Sequence, residues 1–226
     1  IIYHKRRKYG IIFLLSKISE SDSHRESDSD EVKAMEKWFK SINTLVEDLY
    51  NKGFENTGST PIEKTIVDLL SANFTLWGYE DEARRKDVPN DYIADLKRKI
   101  DKENQKRNDI IDALDALIRE DVEKKLGPID QALPMNSENP GSLYDRLTIL
   151  ALRSYNLRKE ISRKDADIAH IERCSKMLEQ VLEKSDDFLK CLKELMEDIY
   201  SGKKKIKSYK QHKMYNDPSL NPALRK

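Results

Sequence analysis

"TPIEKTIVDLLSANFTLWGYEDEARR", residues Thr60 to Arg85, decides the fold class. It opens with a helix start signal. Thr60 can accept the first free N–H groups, Pro61 suits the first helical turn, and Glu63 can reach back to close a capping box. Ile62, Ile66 and Leu69 then recur every three or four residues, as one helix face requires. That face continues through Asn73, Leu76, Glu80 and Arg84, so an apolar stripe turns polar in mid-helix. The spacing predicts a helix over about 61–86, with "KDVPND" as the turn after it and Asp87 or Asn90 as the next cap.

Working outward, the same period governs the rest of the chain. A first helix is expected at about 31–52, on Val32, Met35, Phe39, Ile42, Leu45, Val46 and Leu49, with Gly53 to stop it. A long third helix spans about 90–126 and ends before Gly127–Pro128. A fourth, at about 141–162, is apolar on two sides: Leu143, Leu147, Leu150, Leu157 and Ile161 on one, Ile149 and Leu152 on the other. That pattern suits a central place in a bundle. A fifth covers about 164–201 and stops at Gly202. No strand alternation competes, so an all-α antiparallel bundle of about five helices is predicted, with an irregular C-terminal segment packed on it. Its 37% charged and 38% hydrophobic composition, with only 7 Gly and 7 Pro, agrees.

Three regions follow. Residues 1–29 read as a flexible leader, ending in the low-complexity stretch that begins at Ser19 ("SESDSHRESDSDE"). "HKRRKYGIIFLL" has a basic start but too short an apolar core for a signal peptide. Residues 30–202 form the helical bundle, and 203–226 a basic, aromatic cap of the same domain. The cap carries eight Lys/Arg against Asp217, a charge of +7, in a chain whose net charge is +1. The whole molecule is therefore no magnet for nucleic acid. Cys174 and Cys191, about 25 Å apart on one helix, are too distant for a disulfide. With no apolar run of membrane length, a reducing, cytoplasmic setting is expected.

The candidate site lies where stripes turn polar. On the third helix, Asn104 and Arg107 interrupt the apolar face built from Ile93, Leu96, Ile100, Ile111 and Leu114. Pairing the second and third helices about a turn near residue 88 sets Asn73 opposite Asn104, with Arg107 about one turn away. Asp145, Arg146 and Asn156 on the fourth helix could complete the cluster. Buried amides and guanidinium groups are costly unless they satisfy one another or hold a ligand. Register-fixing network and ligand site are therefore both open readings. In the cap, Tyr209, Lys210, Tyr215 and Asn216 combine positive charge with aromatic rings and could roof the cluster. Glu80 and Asp145 are the candidate acid/base residues.

No P-loop, GxGxxG or GxSxG is present, so no cofactor is named. Asp167–His170 is a weak imitation of a di-iron motif, and Cys174 lies one turn from His170. Asp112 and Asp115 are three apart, but no ExxE pair is matched by an ExxD pair as in all-α Mg²⁺ pyrophosphohydrolases. No metal site is assigned.

"NFTLWGYEDEARR", "DYIADLKRKIDKENQKRND", "MNSENPGSLYDRLTILALRSY" and "YKQHKMYNDPSLNPAL", in that order, resemble the bacterial domain-of-unknown-function family 4254. The likeness covers about residues 45–224. It implies a soluble helical bacterial protein, associated with surface-glycan and lipopolysaccharide assembly, and no reaction or cofactor. Motif positions carried over without roles are Asn73, Trp77, Glu80, Asp81 and Arg84, then Asn104, Arg107 and Asn108. Pro140, Gly141, Asp145, Arg146, Tyr215 and Asn216 complete them. Where the family often has His after the Trp, this chain has Gly78, which removes a titrating neighbour of Glu80. Three functions are carried forward. The first is a binding or accessory protein for a polar anion such as a nucleotide-sugar or sugar-phosphate. The second is a metal-dependent enzyme on a phosphoanhydride. The third is a structural, dimeric interaction module.

Overall fold

The computed structural model describes residues 30–209 and 218–224, with side chains from residue 41 onward. The leader expected at 1–29, and Lys210, Tyr215 and Asn216 of the cap, lie outside the described residues. Five α-helices follow one another: α1 (Asp30–Lys52), α2 (Pro61–Glu82), α3 (Asn90–Leu126), α4 (Pro140–Ser162) and α5 (Ile168–Tyr200). A short 3-10 turn, Pro222–Leu224, comes last. There is no strand among the described residues.

Local chemistry sets the helix ends. The capping box at Thr60 is present: Thr60 Oγ1 accepts from Glu63 N at 3.1 Å, and Glu63 Oε2 accepts from Thr60 N at 3.1 Å. Such a cap stabilises by about 1 kcal/mol. Gly127 and Gly202 end α3 and α5 at φ +84 and +71, conformations that cost other residues strain. Two ends differ from expectation, and charged side chains explain both. α2 stops at Glu82, not 86, because Arg85 turns back onto Asp87, with contacts of 3.1 and 2.8 Å. Asp87 is thereby spent, and α3 starts at Asn90, with Pro89 in the cap position and no side-chain cap. α5 starts at Ile168, not 164, because Asp167 caps it by accepting from His170 N at 2.7 Å.

α2 and α3 form one hairpin, α4 and α5 another, and α4 touches all four other helices. Its two-sided apolar pattern is used as read: twelve of its residues are buried. The main core joins Val46, Leu69, Leu114, Ile118, Leu147, Leu152, Leu192 and Ile199. Each such side chain contributes about 1.5–3 kcal/mol by leaving water. A second cluster, Leu150, Leu157, Cys174 and Val181, zips the far ends of α4 and α5. After α5 the chain turns back onto the bundle. Ile206 enters the core, Lys205 N donates to Pro134 O at 2.9 Å, and Asn139 Nδ2 donates to Lys207 O at 2.8 Å. Both cysteines are free thiols, Cys174 buried and Cys191 exposed. Among the described residues, no helix is long and apolar enough to cross a membrane.

Candidate functional site

Asn73 is 4% exposed, among the apolar residues of α2 that face α4. Its amide spends both hydrogens on α4, one on Asp145 Oδ1 and one on Thr148 Oγ1, each at 2.9 Å. The Thr148 hydroxyl donates in turn to the Asp145 carbonyl at 2.7 Å. This inner half of the cluster is sealed and satisfied, as a buried polar network must be. The hydrogen bonds run from α2 to α4. They do not join Asn73 to Asn104.

The outer half differs. Arg107 on α3 brings Nε to 3.7 Å from the same Asp145 Oδ1, an ion pair too long for a hydrogen bond. Nε is buried and has no hydrogen-bond partner among the described residues. The Arg107 side chain is 27% exposed, so the rest of the guanidinium reaches the surface. A guanidinium carries five N–H donors in a planar fork, and none of these is engaged by a described residue. Asn104, one turn earlier, and Asn108, next in sequence, are half-buried. The result is a cation anchored by a buried carboxylate, with the Asn104 amide one turn away on the same helix face and its own donors unspent. Such a group suits a bidentate oxyanion: a phosphate or a carboxylate.

A neighbouring carboxylate escaped the sequence reading in this role. Asp115, on α3, is 4% exposed, and its Oδ1 accepts the Gly141 N–H at 2.7 Å. It thereby caps α4 from another helix, where Asn139 supplies no side-chain cap bond. Burial pushes the Asp115 carboxyl up to about 6, against hydrogen bonds from Gly141 and Asn139 that lower it; the charge of Asp112 raises it further. Gly141 is required by closeness. A Cβ there would stand 2.8 Å from the Ile111 carbonyl oxygen and 2.9 Å from Asp115 Oδ1. The available signal was Asp115 on an apolar face beside Leu114 and Ile118, ahead of an Asn-Pro-Gly helix start.

The remaining candidates are dispersed. Glu80 pairs with Arg84 at 2.9 Å on the exposed end of α2. Arg146 faces away from Asp145, pairs with Glu138 and lies 5.9 Å from the Phe188 ring. Asn156 donates to the Tyr50 hydroxyl at 2.7 Å. Trp77 packs against the core. Tyr209 is 59% exposed, with the Lys207 ammonium 5.0 Å from its ring. His170 Nε2 lies 3.0 Å from Glu160 Oε2 and 3.4 Å from Cys174 Sγ, at the α4–α5 turn. Among the described residues, no three His, Cys, Asp or Glu side chains converge as a metal site would need.

Three of the sequence candidates, Asn73, Arg107 and Asp145, therefore meet, with Asn104 beside them. No curated protein and no solved structure matches the chain. A family model does match, over residues 63–208, a span that holds all four of these residues and the docked turn after α5. The chain belongs to the family described as "Protein of unknown function (DUF4254)".

Proposed function

We propose that this chain is a binding protein for a polar oxyanion, with Arg107 as the residue that reads it. One observation carries the reading: Asp145 anchors the Arg107 guanidinium while no described residue uses its N–H donors. An orphaned buried donor costs about 1–3 kcal/mol, which a bound oxyanion would offset. Asn104, one turn from Arg107 on the same helix, adds neutral donors and an acceptor suited to hydroxyl groups. A sugar-phosphate or nucleotide-sugar combines both chemistries, and surface-glycan assembly, the setting suggested by the resemblance, uses such molecules. In this reading residues 30–202 are the bundle and the basic segment from residue 203 onward, with Tyr209, is a cap of the same domain.

The test is a thermal-shift and calorimetry screen of nucleotide-sugars, sugar-phosphates and inorganic phosphate on wild type, Arg107→Ala and Arg107→Lys. The expected result is selective stabilisation of wild type, lost in Arg107→Ala and weakened in Arg107→Lys, which keeps the charge but not the fork. A second reading is favoured by the sealed inner half: Asn73, Asp145 and Thr148 alone would suffice to fix helix register. It predicts no ligand-dependent shift in any of the three proteins, and that outcome would overturn the binding proposal.

A further inference from the structure

A cavity of about 420 Å³ opens where the start of α2 meets the ends of α3 and α5. By helical rise, Asp121 on its wall is about 21 Å along α3 from Arg107, so the two places are separate. The volume lies within the range of small-molecule sites. Its floor is apolar and fixed: Ile66, Tyr144 and Met196 are 2%, 2% and 4% exposed, and Leu117 completes it. We propose that this cavity binds a small molecule with an apolar, ring-sized body and a cationic amine.

The rim chooses the charge. Asp121 receives two donors, the Lys125 ammonium and the Tyr200 hydroxyl, both at 2.7 Å and both on Oδ2. No described residue donates to Oδ1, so the carboxylate offers an unused acceptor on the cavity wall. Three carboxylates line the rim, Glu63, Glu120 and Asp121, against two ammoniums. Each ammonium is already committed, Lys124 to Glu120 at 2.8 Å and Lys125 to Asp121. An anion would therefore meet repulsion, because among the described lining residues both ammonium groups already pair with carboxylates.

Helix ends add to this. The last turn of α3, Lys124 and Lys125 included, reaches the rim, so the negative end of that helix dipole lies on this side, whereas the last carbonyl groups of α5 are taken up by the N–H groups of residues 201–204. The start of α2, which would favour an anion, is covered: Glu63 accepts from Ser59 N and Thr60 N, and Thr60 accepts from Glu63 N. The Tyr200 ring holds the Lys125 ammonium 5.0 Å from its centroid, so the same wall carries an aromatic face that accepts a cation.

The test uses a matched pair of probes, 4-phenylbutylamine and 4-phenylbutyrate, titrated into the full chain and followed by amide NMR shifts and calorimetry. The amine is expected to bind saturably, with shifts centred on Ile66, Tyr144 and Tyr200, and the carboxylate to bind at least about tenfold more weakly. Asp121→Asn should cost the amine about tenfold or more, the usual worth of a charge-assisted hydrogen bond. Leu117→Trp should abolish binding by filling the floor, which keeps the test alive if Asp121→Asn is misfolded. Arg107→Ala should leave the amine affinity unchanged, so this site and the oxyanion site stand or fall separately. Equal binding of the two probes, full amine affinity in folded Asp121→Asn, or no saturable amine binding each overturns the proposal.

Discussion

Asp115 and Asp145 are both buried carboxylates flanking the first turns of α4, yet they are provided for in opposite ways. Asp115 has neutral donors only, the Gly141 N–H and the Asn139 side chain, and burial raises its pKa to about 6. It is closed in on every side: the Gly141 backbone has no room for one added carbon. Asp145 has a neutral donor on its inner side, Asn73, and a cation on its outer side, Arg107, which still has donors to give. A carboxylate with only neutral donors holds helices together. A carboxylate that pairs with a partly exposed guanidinium leaves that cation's donors turned outward.

The comparison can be broken most forcefully at Asp145. Asp145→Ala strips Asn73 of an acceptor and leaves Arg107 as an uncompensated cation. The expected loss, read by urea unfolding, is about 3–4 kcal/mol, toward the lower end for a buried pair because Arg107 is partly exposed. Next comes the titration of Asp115. Its folded value lies above the ordinary 3.8, so the folded chain holds the proton more tightly than the unfolded chain. The associated stability is fully present below about pH 3.8 and is lost as pH rises through about 6. The total is up to about 3 kcal/mol for a shift of about two units. Asp115→Asn should flatten the unfolding free energy between pH 4 and 7 relative to wild type; an unchanged slope would reassign it to other groups. Gly141→Ala tests the closeness itself. With a backbone carbonyl 2.8 Å from the new Cβ, overpacking should cost about 2 kcal/mol by chemical denaturation. The smallest stability effect belongs to Arg107→Ala, under about 1 kcal/mol, because Asn73 and Thr148 still hold the inner half. That contrast, little stability lost but oxyanion binding abolished, separates the two carboxylates most sharply.

What the sequence discloses follows the range over which each signal acts. Thr60, Pro61 and Glu63 lie within four residues, so the start of α2 can be read directly. Asn73 and Arg107 stand out because each interrupts an apolar stripe on its own helix. Their partner is harder to read. Hairpin register places Asn73 beside Asn104, but the acceptor comes from α4, whose angular setting is fixed by packing against all four other helices. Arg146 shows the same limit: adjacent to Asp145 in sequence, it points about 100° around the helix, away from the cluster. Asp115 was visible as an acid on an apolar face, but its donor is a backbone N–H, 26 residues away, with no side-chain signature. The cavity is less legible still, being assembled from parts of four helices.

The docking of the turn after α5 sets an order on the birth of the fold. Pro134, Asn139 and Gly141 emerge from the ribosome early, but two of their partners, Lys205 and Lys207, are about 70 residues behind. At synthesis speeds of about 5–20 residues per second, the connection between α3 and α4 waits several seconds before those partners are made. During that interval α4 leans on α1, on the α2–α3 hairpin with its Asp115, and on α5 as it is made. A nascent chain stalled at Gly202 would thus contain all five helices with Ile206 missing from the core. Protease protection of the 127–139 connection should appear only once residues 203–207 have cleared the exit tunnel.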